Sequence, residues 1–551
     1  MDRDPAPLPP RSVLSTHEVA NQPGDQPARD PWAGDGVLRG WLGLWGGAVD
    51  DAARFGAALA TPALRAAAKA ARHVPPELAP FDRAGRRLDE VRFHPGYHAV
   101  MATGVAAGYA ALPWEGAAGG HMGHAAMVYM LSQVEPAICC PLTMTYAAVP
   151  ALAVDPGVGA AWRAKLTARD YDPAIRPLAE KAGATLGMAM TEKQGGSDLR
   201  GCSTRAERDG GGWRLTGHKW FCSAPMSDGF LTLARTGKGL TCFLVPRWLP
   251  EGRNAIALMR LKDKLGNRAN ASAEIEYQGA FAHRLGEEGR GIATIIEMVH
   301  HTRLDTAIAP AGLMRAALAE ALFWAEGRTV FQRRLIDQPL MRAVLADLAL
   351  DWEGALALSM RVAAAFDGGA EADRAFARIA VALAKFLNNK RCPVVVAEAM
   401  EALGGMGYVE ETPMPMLYRE APLNGIWEGS GNVICLDILR TLAKEPLAAE
   451  VLAAELDAGK GADRRYDAAL AGHQARWPGL PPEAEARLFA ERTAVLLAAS
   501  ILIRHAPGAV ADGYVATRVA GEGGRVPGAV SGLDTAGILS RFGDQPATEA
   551  S

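Results

Sequence analysis

The 551-residue chain carries almost no excess of charge of either sign: 58 lysines and arginines face 61 aspartates and glutamates, a net charge of −3. That balance gives no global reason to expect an acidic polymer as partner. Its seven cysteines lack paired spacing, which argues against a disulfide framework and predicts reduced thiols in a cytoplasmic setting. Adjacent Cys139 and Cys140 are expected in the core. No secretory apolar segment follows the opening Met1-Asp2-Arg3-Asp4. The longest uncharged apolar stretches, 99–114 and 493–503, are interrupted by glycine and proline or cover half a bilayer as helix. Both read as buried helices, and no membrane span is predicted. Neither a dinucleotide-binding fingerprint nor a P-loop occurs in context, so neither a nicotinamide cofactor nor a nucleoside triphosphate is indicated. His300-His301 have no carboxylate or cysteine partner at metal-ligand spacing, and no metal is predicted.

What is present is ordinary soluble protein, 49% hydrophobic and 22% charged, long enough that several domains with separate cores are expected. Residues 1–35 are rich in Pro, Asp and Gly without apolar periodicity and read as an arm. From 36 to 184 the pattern is helical, broken at Pro75-Pro76, Pro95, Pro113 and Pro141, with residues 86–97 expected as a loop over the helical layer. Between 185 and 285 the period changes. Trp213-Arg214-Leu215-Thr216 alternates, the β-prone runs 230–235 and 240–245 flank a Thr236-Gly237-Lys238-Gly239 turn, and Glu274-Ile275-Glu276-Tyr277 adds another strand. After Gly289-Arg290-Gly291 helices return over 286–440. Leu304, Ile308, Ala311, Met314, Leu318 and Leu322 step by three and four as one buried stripe, with a kink expected at Pro310. A last helical segment covers 441–551. The fold class is mainly α with an inserted β domain.

Five short pieces can carry chemistry. Met190-Thr191-Glu192-Lys193-Gln194-Gly195-Gly196-Ser197-Asp198 offers successive backbone N–H groups and the hydroxyls of Thr191 and Ser197. Such a run suits a heteroaromatic edge or an anion, and equally a Gly-rich turn into a strand. His218-Lys219-Trp220-Phe221-Cys222-Ser223 presents an aromatic plane beside a hydroxyl, or a half-buried strand. Arg328-Thr329-Val330-Phe331 ends the long helix with a guanidinium able to pair with a diphosphate or to sit solvated. Glu401-Ala402-Leu403-Gly404-Gly405-Met406-Gly407-Tyr408 has three glycines where a helix C-cap needs one. In Asn424-Gly425-Ile426-Trp427-Glu428-Gly429-Ser430-Gly431-Asn432 a lone carboxylate stands between an indole and small residues. Burial beside Trp427 raises a carboxyl pKa, as a general base needs.

The order and spacing of these pieces resemble the acyl-CoA dehydrogenase flavoprotein family, over nearly the whole chain. Thr16-His17-Glu18-Val19-Ala20-Asn21-Gln22-Pro23, Arg86-Arg87-Leu88-Asp89-Glu90-Val91-Arg92-Phe93-His94-Pro95 and Cys140-Pro141-Leu142-Thr143-Met144-Thr145 are similar to its alkylation-response (AidB) branch. The resemblance implies a helical N-domain, a β-barrel, a four-helix domain and an added C-terminal helical domain, with FAD between barrel and helices. By that likeness Met190, Thr191 and Ser197 contact the isoalloxazine edge, and Gly195 and Gly196 keep the backbone close. Trp220, Phe221, Cys222 and Ser223 line the other side of the ring, near Trp427. Arg328 and Phe331 meet the diphosphate region, and Gly404, Gly405 and Gly407 the adenosine half, from a neighbouring subunit of a homotetramer. Ser430, Gly431 and Asn432 stand where the family has Thr-Ser-Gln.

In the family a base removes the Cα proton of an acyl thioester while hydride passes from Cβ to the flavin. Donors on the thioester oxygen, one of them the N–H of the base itself, stabilise the developing enolate. Some relatives place the base on the long helix just before an arginine. Here Thr302 precedes Arg303, so Glu428 is the matching base. The resemblance thus implies oxidation of a short or branched acyl-CoA such as isovaleryl-CoA, with an electron acceptor of unknown identity. It also raises double-stranded DNA as a partner of residues 441–551, through Arg504, Arg518 and Arg525. That segment holds 11 basic and 14 acidic residues, whereas duplex binding ordinarily needs a basic footprint.

Overall fold

The computed structural model describes residues 8–543. Its N-terminal helices begin where a polar side chain precedes a proline. Thr61 accepts a hydrogen bond from Leu64 N–H ahead of Pro62, Glu135 from Ala137 N–H ahead of Pro136, and Asp155 from Val158 N–H ahead of Pro156. A proline at the first helical position forfeits only an N–H that would have no partner anyway. Of the prolines read from sequence as breaks, Pro75 and Pro76 do separate the helix Pro62–His73 from the strand Glu77–Phe81, whereas Pro95 opens the helix Pro95–Ala107. Pro141 is no break either, since it lies inside the helix Pro136–Leu152.

Residues 86–97 differ from the expected loop. Glu77–Phe81 and Arg87–Arg92 form an antiparallel hairpin, turned by Asp82, whose carboxylate accepts from the N–H groups of Ala84 and Arg86. An Asx turn of this kind replaces the missing turn hydrogen bonds with a side chain.

Strands from Leu186–Ala189 to Ser272–Leu285 make the β domain. Ser272–Leu285 pairs with Gly212–Ser223, which pairs with Arg205–Asp209. The last touches Gly229–Thr236, which pairs through the Thr236/Gly239 hairpin with Gly239–Pro246, and that strand returns to Ser272–Leu285. Five strands thus close on themselves. Gly229–Thr236 is buried on both faces. Phe230 and Ala234 point into the barrel with Trp213 and Phe243, while Leu231 and Leu233 face Tyr146, Ile295 and Met298 on the helices. A strand covered on both sides reads as a continuous apolar run.

The long helix Gly291–Gly327 forms the centre of the helical part, packed by Pro339–Asp367 and Glu371–Ala402. Leu304, Ile308, Ala311, Met314, Leu318 and Leu322 are all buried. The helix continues through Pro310 instead of ending there. Proline leaves the Thr306 carbonyl without its intrahelical N–H, and Asn389 Nδ2 supplies that donor at 2.8 Å. Asn388 Nδ2 donates to the neighbouring Ala307 carbonyl at 2.9 Å.

The buried apolar side chains form three separate clusters, which do not follow the expected domain boundaries. One continuous apolar cluster runs from Trp32 and Phe55 through Leu304 and Trp352 to Leu497 and Ile538. The N-terminal, central and C-terminal helices share it, while the barrel interior is a core apart. Long helices cause this, because each presents apolar side chains on every face and welds layers together. A further apolar layer, including Cys140, Met144 and Tyr146 with Met190 and Trp427, joins barrel to helices. The candidate site lies along it.

Candidate active site

Glu428 lies in the connection between the turn Leu423–Gly425 and the helix Gly431–Lys444. Its φ is +57° and that of Gly429 is +103°. A non-glycine residue in the left-handed region costs about 1–2 kcal/mol, so surrounding contacts must hold it there. Lys385 Nζ donates to the carbonyls of Asn424 and Gly429, each at 2.9 Å. Arg303 Nε donates to the Glu428 carbonyl at 3.3 Å, and Trp427 Nε1 to Asn424 Oδ1 at 2.8 Å. Arg303 is fixed in turn by Asp437 at 2.6 Å, a carboxylate it shares with Arg378.

The Glu428 carboxylate accepts from Thr302 Oγ1 at 2.7 Å. Thr302 occupies the long-helix position excluded from sequence as a base, so the two positions at which the family carries a carboxylate adjoin here in space. Burial raises the Glu428 pKa, against the opposing effects of Thr302, Lys385 and Arg303. Burial also pushes Lys385 down to about 7, although the Glu428 carboxylate pulls it up. The Glu428 N–H donates to no protein acceptor among the described residues. This loop therefore offers a carboxylate shifted toward a base's working range and, beside it, an uncommitted donor.

The facing wall comes from the barrel. Where Ser272–Leu285 pairs with Gly212–Ser223, Ala273 opposes Cys222 and Ile275 opposes Lys219. One strand thus carries an extra residue, a β-bulge that resets the alternation of faces. Trp220 and Phe221 keep solvent exposure, whereas Lys219 and Cys222 turn inward and are buried. This corrects one expectation: the Cys222 side chain belongs to the barrel interior with Ile275 and Tyr277 and does not line the cleft. Lys219 reaches Glu192 Oε1 at 2.8 Å. Burial opposes ionisation of Glu192, but the Lys219 ammonium and hydrogen bonds from Cys202 and Thr204 outweigh it and hold the carboxyl well below its usual range. That buried strut anchors Thr191, whose carbonyl accepts from Trp220 N–H at 2.8 Å. At Gly196 a Cβ would lie 2.5 Å from Thr191 Oγ1, so glycine keeps that hydroxyl accessible. Met190 packs in the apolar layer that also holds Trp427, while Gly195 and Ser197 stay exposed. Ser223 Oγ lies 3.2 Å from Ser272 Oγ.

Cys140, on the helix Pro136–Leu152, connects the two walls. Burial pushes its thiol up to about 12, and both the Glu428 carboxylate and the Ser223 hydroxyl act on it. The carboxylate and the Ser223 end of the strand thus both lie near this one thiol.

Other expected residues stand apart from it. Arg328 Nη1 donates to Asn21 O at 2.6 Å and Gln22 Oε1 at 2.9 Å, in the arm. Phe331 is 90% exposed at the tip of a two-residue turn. Two of the three glycines after Ala402 have structural reasons: Gly404 adopts φ +60°, and a Cβ at Gly407 would lie 2.1 Å from the Met400 carbonyl. Gly405 has open space around it. Ser430 precedes the first turn of Gly431–Lys444, and Asn432 Oδ1 accepts from Arg487 Nη1 at 2.9 Å. His300 and His301 join a ring cluster with Trp114, His121, Tyr146 and Phe366.

The arginines suggested for DNA are differently placed. Arg504 pairs with Glu455 at 2.5 Å. Arg518 pairs with Asp347 at 2.7 Å and Asp351 at 2.8 Å. Of the three only Arg525 is exposed and without an ion-pair partner among the described residues. Sequence reading missed Lys385, Arg487 and the Lys219–Glu192 strut. Lys385 had a legible signal, a lone cation inside the apolar run Val381-Ala382-Leu383-Ala384-Lys385-Phe386-Leu387. Arg487 had none.

Three family models match the chain: the adaptive response protein AidB N-terminal domain over 21–173, the acyl-CoA dehydrogenase middle domain over 187–280 and the acyl-CoA dehydrogenase C-terminal domain over 289–443. AidB of Escherichia coli (strain K12) is 46% identical over 463 residues, covering 83% of this chain and 86% of that protein. Acyl-CoA dehydrogenase family member 11 of Caenorhabditis elegans is 34% identical over 336 residues, 58% of this chain and 54% of that one. Among solved structures, Caenorhabditis elegans ACDH-11 in complex with C11-CoA superposes with a TM-score of 0.80 at 26% identity, covering 98% of this chain and 94% of that one. The Bd2924 apo-form superposes with a TM-score of 0.79 at 29% identity, covering 89% and 100%.

Proposed function

The chain belongs to the acyl-CoA dehydrogenase family, on its AidB branch, and from that premise we propose that it is an FAD-dependent enzyme introducing a Cα–Cβ double bond into a short or branched acyl-CoA such as isovaleryl-CoA. The observation that carries this reading is the setting of Glu428, a buried carboxylate with a raised pKa, bonded by Thr302, in a loop held by Arg303 and Lys385 beside the apolar layer between barrel and helices.

The residues present fit FAD. Thr191 Oγ1, kept open by Gly196, and the exposed Ser197 suit its polar ring edge, and Trp220 supplies an aromatic surface. Bound FAD supplies the acceptor for the hydride that leaves Cβ. The protein's own work is on the proton. Glu428 takes it from Cα, and the Glu428 N–H is free to receive the thioester oxygen as negative charge develops there. Arg303 and Lys385 hold the loop in the one conformation that points both groups at the substrate. Thr302 donates to the carboxylate before it is protonated and steadies its rotamer.

A short or branched acyl group suits the apolar layer beside Glu428, where Trp427 packs with Cys140, Met144 and Tyr146. The next side chain along the long helix, His301, adds to the ring cluster. The C11-CoA of the Caenorhabditis elegans complex makes a longer acyl chain the competing choice. Anaerobic titration of the FAD-loaded protein with straight and branched acyl thioesters decides between them. Bleaching strongest with isovaleryl- or butyryl-CoA supports the assignment. Bleaching confined to long chains replaces the substrate, and bleaching by none refutes the activity.

Arg328, Phe331 and residues 404–407 stand away from Glu428, consistent with service to a neighbouring subunit in a homotetramer. Light scattering that finds only monomers of the FAD-loaded protein contradicts that arrangement. DNA association has weaker support, since Arg504 and Arg518 are tied to carboxylates within the chain. Retardation of duplex DNA that weakens steeply with salt would restore it.

A further inference from the structure

We infer that the N-terminal arm positions Arg328 for an anion, and that Asn21 and Gln22 are positioning residues for the diphosphate of FAD; this rests on the flavoprotein reading above. The observations are local and mutually reinforcing. Asn21 adopts φ +56°, a conformation asparagine tolerates better than most residues. Its side-chain amide then pairs with the backbone of Thr329 in both directions: Nδ2 donates to Thr329 O at 2.7 Å, and Thr329 N–H donates to Oδ1 at 2.6 Å. An amide used this way imitates a neighbouring β-strand. It fastens the short hairpin Thr329–Val330 with Arg333–Arg334, whose tip, Phe331 and Gln332, lies in the left-handed region at φ +50° and +65°.

The same arm addresses the guanidinium. Nη1 carries two hydrogens, and both are taken, by Asn21 O and Gln22 Oε1. The Nε–H and the two Nη2 hydrogens have no protein acceptor among the described residues. A guanidinium has five donors in a fixed planar fork. With Nη1 pinned to the arm, the remaining edge is aimed as the bidentate face that suits a phosphate oxygen pair. Pro23 secures the approach: a Cβ at Gly327 would lie 2.9 Å from Pro23 Cγ, so glycine there leaves the ring its place. Gln26 Nε2 adds a bond to the Ala319 carbonyl at 3.1 Å. A long side chain that would otherwise lose rotamer freedom on binding is immobilised beforehand, which lowers the cost of binding the anion. The neutral carbonyl acceptors also leave the full positive charge available, which a carboxylate partner would not.

The test compares FAD with riboflavin, which carries the same ring system and no phosphate. Dissociation constants for both are measured on the full-length protein carrying Asn21→Gly, which keeps the left-handed backbone and removes the amide, Gln22→Met, and Arg328→Met as reference. Thermal stability is recorded alongside. Asn21→Gly and Gln22→Met are expected to weaken FAD about tenfold, the effect of losing one charge-assisted contact, and to leave riboflavin binding unchanged. If Arg328→Met lowers the preference for FAD while the two arm variants keep it, or weaken FAD and riboflavin alike, the arm is only structural and the inference is overturned. If Arg328→Met itself leaves the preference intact, the assignment of Arg328 to the diphosphate fails instead.

Discussion

Arginine–carboxylate pairs are buried both beside Glu428 and under the C-terminal segment, and the two regions differ in how their charges close. Under the C-terminal segment, Arg391 and Arg518 grip Asp351, with Asp347 also on Arg518. Two cations meet two anions, and nothing is left over. Beside Glu428, Arg303 and Arg378 share Asp437, while Lys385 has only carbonyl oxygens as hydrogen-bond partners among the described residues. Positive charge is in surplus there, and it favours a carboxylate at Glu428 and an enolate oxygen near its N–H. Function follows the uncommitted donors more than the count of arginines. A sequence shows the count and hides the commitment.

The comparison can be tested in order of expected effect. Glu428→Gln keeps the shape of the loop and removes the base, so the rate of flavin reduction by acyl-CoA should fall about 10²–10⁴-fold with FAD content unchanged, as stopped-flow absorbance would show. Next, Arg518→Ala leaves Asp347 without its cation and Asp351 with Arg391 alone, which should cost about 3–5 kcal/mol in chemical denaturation. Reduction of the flavin by acyl-CoA should survive wherever the variant stays folded. Loss of that reaction in folded Arg518→Ala would mean the two regions are coupled after all.

Smaller effects sharpen the local picture. Thr302→Val removes a hydrogen bond that lowers the Glu428 pKa, so the acid limb of the rate–pH profile should move to higher pH. Movement toward lower pH would show that Thr302 does not donate to the carboxylate. Lys385 titrates near 7 when folded, against 10.5 ordinarily. Between those values the unfolded chain holds more protons, so stability rises with pH across the window, and Lys385→Met should flatten that rise. Smallest of all, Arg525→Ala should change stability by no more than about 0.5 kcal/mol, because it is exposed and has no ion-pair partner among the described residues. Abolition of DNA retardation by this single change would assign the C-terminal face a role that its ion pairs do not suggest.

Much of the architecture was readable because its signals are local. The two-residue hairpin at Gly237-Lys238, the buried stripe from Leu304 to Leu322 and the strand alternation after Thr185 depend on neighbouring residues. Other features depend on distant partners. Pro310 leaves the helix unbroken because Asn389, far along the chain, replaces the missing donor. Cys222 points inward because a bulge against Ser272–Leu285 shifts the phase of its strand, which no alternation count reveals. Thr302 carries no carboxylate and does not read as a base, yet its contact with Glu428 spans 126 positions and no spacing rule indicates it. The shared helical core escaped for the same reason: length suggests several domains, but only packing shows whether their apolar faces merge.

The most direct measurement asks whether Glu428 handles the proton. With the flavin already reduced, so that no hydride can leave Cβ, the FAD-loaded protein is held anaerobically in D2O with isovaleryl-CoA, and deuterium at Cα is followed by mass spectrometry. Wild-type protein should incorporate deuterium and Glu428→Gln should not. Equal incorporation by both would place the base elsewhere and contradict this account.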